Sequence, residues 1–273
     1  MVTETTVKHA FTDLGIVPGD IVLVHSSLRS LGLLKNGPDT VIRGIEAVIG
    51  KEGTLVMPTL SQVDFNNSYK TWYMDKPSDV GYLTEYFRKQ PYVYRSNQET
   101  HSVAARGKYA YTLTFEHKAR GPHLCPFGEY AFSDSSPWMK MYQMGAKTVF
   151  IGVSTRYNTV KHMVEARFAE HILAQVADPS QYARLRSEVA TFGHFTGAEI
   201  WPMYNGTLME EEYEKRGLIR RSYCGDALLL CMDMKATCDA AFEILCENPA
   251  RWCNAATMDW IRRCNAAGHT AQH

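Results

Sequence analysis

The chain has 273 residues, 45% of them hydrophobic, and its 29 basic residues balance 29 acidic ones. That length supports a large buried core, and the neutral balance leaves no sequence-wide basic field for nucleic acid or an anionic membrane. Residues 1–9 are polar and lack the apolar core of a secretory signal, and no apolar run approaches the roughly 20 residues of a membrane helix.

Residues 3–14 place Val7, Ala10, Phe11 and Leu14 on one stripe, which predicts an amphipathic helix. Pro18, Gly19 and Asp20 turn the chain into Ile21, Val22, Leu23 and Val24, a continuous apolar run typical of a strand buried on both faces. That strand delivers His25, Ser26, Ser27, Leu28 and Arg29 at its carboxyl end, where open α/β sheets hold their ligands. A helix follows through Val41, Ile42, Ile45 and Val48, then a second buried strand over residues 54–59. Residues 61–80 turn polar and aromatic without a clean period, and long loops of this kind usually serve as lids or binding loops. Residues 81–89 predict a helix, residues 95–107 a polar turn running into a small-residue strand, and residues 109–117 a helix-loop segment.

Ser135 or Ser136 is placed to cap a helix with Pro137 in its first turn. Residues 148–152 read as an apolar strand ending at Gly152. Asn158 or Thr159 then opens a helix that carries His162 and Glu165 at i and i+3, on one face. Beyond residue 175 the pattern loosens. Residues 191–195 are aromatic and polar, residues 210–216 read as a solvated helix face, residues 227–231 as a strand and residues 234–248 as an amphipathic closing helix, and the tail from residue 265 reads as loose.

Seven cysteines, an odd number without a Cys-x-x-Cys pair, read as small buried residues of a reducing compartment rather than disulfides or zinc ligands. The P-loop, the dinucleotide fingerprint, the nucleophile-elbow serine and the zinc-protease motif are all missing, and the reversed His-x-x-Glu-His form breaks at Ala166. His162 and Glu165 are then a general base with an acidic neighbour, or else a surface pair or a capped core histidine. The first alternative suits direct transfer from an activated donor to an amine or alcohol. The base takes the proton of the attacking group while bound N–H donors stabilise the oxyanion. The turn over residues 26–30 offers hydroxyls and backbone N–H groups able to hold a phosphate.

Several segments occur in a characteristic order. They are residues 25–32 after an Ile-Val-Leu-Val strand, residues 53–59, Arg95-Ser96 followed by His101-Ser102-Val103, Pro126-Phe127-Gly128 with Ser136-Pro137, and Ile151-Gly152-Val153 with His162 to Glu165. Together they resemble the aminoglycoside 3-N-acetyltransferase family over nearly the whole chain. The resemblance implies one α/β domain over residues 1–273 with the antibiotic N-acetyltransferase fold, a central mixed sheet flanked by helices and distinct from the GNAT fold. It implies acetyl-CoA as donor and the 3-amino group of a 2-deoxystreptamine aminoglycoside as acceptor, in a cytoplasmic resistance enzyme that needs no metal. Another acyl-CoA-dependent acyltransferase or a non-catalytic ligand-binding relative are the alternatives.

Within the resemblance, His162 is the catalytic histidine and Glu165 the acid beside it, either orienting the base or binding the acceptor. His25, Ser26, Ser27, Leu28, Arg29, His101, Ser102, Val103 and Phe127 fall on the donor side. A polycationic acceptor calls for acids, for which Asp64, Asp75, Glu99 and Glu129 are the loop candidates. The chain departs from the pattern at Gln98-Glu99, where many relatives carry His-Pro, and this adds a negative charge near the expected acceptor cleft.

Overall fold

Three parallel strands form the centre of the protein in a computed structural model that describes residues 1–61, 70–190 and 200–269. Strand β1 (Ile21–Ser26) lies between β2 (Thr54–Pro58) and β5 (Lys147–Ile151). Antiparallel strands extend both edges: β4 (Val103–Gly107) and β3 (Tyr94–Arg95) beyond β2, and β7 (Ala227–Asp233) and β6 (Ile219–Cys224) beyond β5. The result is a seven-stranded mixed sheet of order β3-β4-β2-β1-β5-β7-β6.

The unbroken apolar run of β1 has a direct cause, because successive side chains point to opposite faces and both faces are covered. Val22 and Val24 join a core with α1 (Glu4–Asp13), α2 (Pro38–Ile49) and α3 (Tyr82–Arg88), through Phe11, Ile45 and Phe87. Ile21 and Leu23 face the larger core, built with α4 (Ala110–Thr114), α5 (Pro137–Gln143) and α6 (Lys161–Leu173) through Leu113, Trp138 and Phe168. Helices α7 (Pro179–Val189), α8 (Gly206–Lys215), α9 (Met234–Glu247), α10 (Pro249–Trp252) and α11 (Ala255–His269) complete that side. Ser136 caps α5, its hydroxyl accepting from Met139 N.

Four readings need correction. Helix α6 starts at Lys161 rather than at Asn158 or Thr159, whose carbonyls accept from Lys161 N and His162 N at 3.2 Å each in two tight turns ahead of the helix. Soon after residue 175 the chain forms the regular helix α7 over Pro179–Val189, and Trp260 Nε1 of α11 donates to Leu185 O of α7 at 3.0 Å. Helix α9 does not close the chain: Trp260, Cys264 and Ala267 are buried at helical spacing, so residues 265–269 belong to α11. Five cysteines are buried, but Cys253 is half-buried and Cys246 exposed; none forms a disulfide. Residues 191–195 lie outside the described residues. Among the described residues no helix is long and apolar enough to cross a membrane.

Candidate active site

Strands β1, β2 and β5 end at the same edge of the sheet, and a cavity of about 610 Å³ opens there. Its wall includes residues 25–29 at and beyond the end of β1, Pro58 at the end of β2 with Leu60 after it, residues 80–82 at the entry to α3, His101, and residues 156–159 with His162 before and on α6. This is the crevice outside the carboxyl ends of parallel strands that suits ligands in such sheets. The chain leaves β5 through Gly152 with φ +60°, and a Cβ there would stand 1.8 Å from Ser30 Oγ. Only glycine lets the turn after β5 pass the turn after β1 this closely. The Ser30 hydroxyl donates to Ser27 O at 2.6 Å, and Ser27 N donates to Ile151 O at 2.9 Å, so the two turns are tied together.

His162 is the second residue of α6, with 23% of its side chain exposed, whereas Glu165 is fully buried. Glu165 Oε2 lies 2.8 Å from His162 Nδ1; Glu165 Oε1 accepts from Met203 N at 2.9 Å and lies 3.5 Å from Lys161 Nζ. Burial pushes the Glu165 carboxyl up, but the Lys161 charge and the His162 hydrogen bond outweigh it and hold it below the usual glutamate value. An ionised carboxylate can only accept, so the neutral imidazole carries its hydrogen on Nδ1 and its lone pair on Nε2. Phe127 meets the His162 ring edge-on at 4.6 Å, and His101 and Phe132 stand at 6.0 and 6.1 Å.

His101 is buried and held well below the ordinary histidine value, first by burial and then by the neighbouring His162 and His117. Its ring packs on Phe127 and Phe132 at 4.7 and 5.0 Å. The departure at Gln98 has a structural use: its Oε1 accepts from Thr100 N at 2.8 Å and from His101 N, closing the turn that presents His101. His25 stacks on Phe150 at 5.2 Å, and burial lowers its pKa to about 4. Its Nε2 is buried and has no hydrogen-bond partner among the described residues.

Of the donor-side residues, His25, Ser26, Ser27, Leu28, Arg29 and His101 line the cavity together with His162. Phe127 joins through the ring of His162 rather than the cavity wall. Ser102 and Val103 are turned elsewhere: the Ser102 hydroxyl donates to Thr59 O at 2.9 Å and accepts from Arg95 Nε at 3.2 Å, and Val103 packs in the large core. Among the acids, Glu99 pairs with Lys118 at 2.5 Å and Glu129 with Arg186 at 3.0 Å, Asp75 is exposed, and none of the three lines the cavity. Asp64 lies outside the described residues. Glu165 is fully buried beneath His162 and does not line the cavity.

Sequence reasoning missed Arg156 and Tyr157, which line the cavity from the polar turn between β5 and α6. Their position after a buried parallel strand was the available signal. It also missed Arg95, whose guanidinium donates to Thr59 O at 2.7 Å, Met74 O at 2.8 Å and Lys76 O at 2.5 Å and lies 4.7 Å over the Trp72 ring. Arg95 thereby ties residues 72–76 to the strand end beside the cavity.

A mixed α/β sheet with a carboxylate-held histidine at its strand-end cavity defines the class, and solved structures share the fold. They include AAC-IIIb in a binary complex with CoASH (TM-score 0.69, 20% identity, 90% of this chain and 97% of that one) and YokD from Bacillus subtilis (0.65, 21%, 91% and 100%). A mutant of aminoglycoside acetyltransferase AAC(3)-IVa in complex with apramycin also matches (0.65, 19%, 91% and 93%). The family model of aminoglycoside 3-N-acetyltransferase matches residues 23–246, and the chain belongs to that family. Similar curated proteins include aminoglycoside N(3)-acetyltransferase IV of Salmonella sp, 31% identical over 56% of this chain and 54% of the relative. Aminoglycoside N(3)-acetyltransferase VII of Streptomyces paromomycinus is 28% identical over 60% of each. The chain thus spans between half and two thirds of the length of the curated relatives it matches.

Proposed function

We propose that the protein transfers an acetyl group from acetyl-CoA to an amine by direct attack, with His162 as general base. The observation that carries this reading is the His162–Glu165 pair, in which a buried anion fixes the tautomer and leaves Nε2 free at a cavity. The cavity suits the donor: Leu28, Leu60 and Val80 give apolar wall for a pantetheine arm, Arg29 offers charge to its phosphates, and the unpartnered His25 Nε2 offers a hydrogen bond to a carbonyl or amide. His162 Nε2 takes the proton of the attacking amine as the C–N bond forms, the C–S bond breaks, and the departing CoA thiolate takes the proton back from His162 and leaves as the thiol. Family membership makes an aminoglycoside the first acceptor to test, at the 3-amino group of 2-deoxystreptamine, in a cytoplasmic enzyme that confers resistance.

A second reading, an acyltransferase for another amine, is favoured by the lining itself, which holds no carboxylate among the described residues. Thiol release from acetyl-CoA against a panel of 2-deoxystreptamine compounds and simple amines separates the two. His162→Ala is expected to lower turnover by roughly 10²–10⁴-fold, the usual size of general-base catalysis, with acetyl-CoA binding retained. A variant that turns over at the wild-type rate removes His162 from the mechanism, and no thiol release with any amine leaves a ligand-binding relative.

A further inference from the structure

A groove of about 650 Å³ adjoins the cavity at Arg156, which lines both. Lys161, the residue before His162, and Arg251 line the groove with it. Arg156 and Arg251 are exposed and have no carboxylate at ion-pair distance among the described residues; Arg251 rests on the Trp252 ring at 4.7 Å. Lys161 Nζ stands 4.9 Å over the Tyr204 ring and shares its charge with the buried Glu165. Glu210, on the neighbouring α8, is engaged by Thr155, whose N donates at 3.1 Å and whose hydroxyl donates to the same oxygen. Among the described residues no carboxylate lines either concavity.

Two guanidinium groups and an ammonium without a full complement of acids favour a phosphate, which guanidinium recognises bidentately. The amino end of α8, residues 206–208, faces the same groove and adds potential of the same sign. A polycation would meet repulsion there. Lys161 and His162 are consecutive on α6, and the groove and the cavity meet at their shared wall residue Arg156. We infer that the groove holds the phosphate of the acceptor, which is a small amine carrying a phosphate ester, an amino sugar phosphate for instance, rather than a polycationic aminoglycoside. This rests on the acyl-transfer reading of His162 and names its acceptor class.

Calorimetry with glucosamine 6-phosphate, glucosamine and a 2-deoxystreptamine aminoglycoside as probes tests it, on the wild-type protein and on Arg251→Gln with matched Tm. The phosphate ester is expected to bind roughly tenfold or more tighter than glucosamine, with Arg251→Gln removing most of that difference and leaving acetyl-CoA affinity unchanged. Equal binding of the two amino sugars, or tighter binding of the aminoglycoside, overturns the inference. Weakened acetyl-CoA binding in Arg251→Gln with an unaltered phosphate-ester preference overturns it too, assigning the groove to the donor's phosphates. Phosphate-selective binding that Arg251→Gln abolishes, without thiol release from acetyl-CoA, supports the groove while refuting the transferase reading.

Discussion

Glu165 serves His162 and the fold through a single carboxylate. One oxygen sets the histidine tautomer, and the other satisfies Met203 N and the Lys161 charge. Glu165→Gln keeps the volume and an acceptor for Met203 N but removes the charge and permits an amide N–H to face Nδ1, which would move the lone pair away from the cavity. Turnover is expected to fall by roughly 10²–10⁴-fold while acetyl-CoA still binds. Glu165→Ala should in addition destabilise by roughly 3 kcal/mol, because the half-buried Lys161 and the buried Met203 N–H lose their partner. Steady-state rates beside thermal melts check both, and a Gln variant with the native rate would leave the carboxylate a structural role only. The His162–Glu165 spacing was legible in the sequence because i and i+3 share a helix face. That Glu165 is buried was not, since the cover comes from residues 203–204, far along the chain.

The decisive elements are the turns that leave β1 and β5. Gly152 carries a positive φ and the Ser30 side chain fills the space where its Cβ would stand, so Gly152→Ala must displace the turn over residues 27–30. A destabilisation of roughly 1–3 kcal/mol is expected from backbone strain and displacement together. It should be accompanied by a higher KM for acetyl-CoA, because residues 27–29 line the cavity; a raised KM for the amine alone would contradict this placement. Strands β1, β2 and β5 were legible because burial on both faces leaves an unbroken apolar run, and α1 and α2 because their stripes are clean. Strand β6 escaped notice because it is an edge strand whose residues, apart from Cys224, are exposed or half-buried, so neither alternation nor an apolar run marks it. The phosphate-receiving groove was equally invisible, since Arg156, Lys161 and Arg251 meet only after α6, α8 and α10 have packed.

At the scale of the whole molecule, a chain of zero net charge gains its pH dependence from a few histidines in contrasting surroundings. Burial lowers His25 to about 4 and His117 to about 3, and holds His101 well below its ordinary value. Buried His117 donates Nε2–H to Ala131 O at 3.0 Å, and its Nδ1 lies 2.9 Å from the Ser96 hydroxyl. Below the unfolded histidine value of 6.5 the unfolded chain binds protons that the native state refuses, so stability falls as pH drops from there toward 4. His123 has the opposite sign. Its hydrogen bond to Glu170 outweighs partial burial, and Asp134 adds to it, so its pKa rises to about 9. Its contribution is fully present below 6.5 and is lost as pH rises through about 9. A dome of Tm against pH with its maximum near 6.5 is therefore expected. His123→Gln should flatten the alkaline limb and leave the acid limb in place, because the acid limb comes from other groups: the buried His25, His101 and His117, joined at its acid end by carboxylates such as Glu85 and Glu165. Thermal melts between pH 4 and pH 9 on both proteins test the assignment. A Tm that rises on acidification would show that the buried histidines take up protons without cost, and an alkaline limb unchanged in His123→Gln would detach that limb from the Glu170–His123–Asp134 cluster.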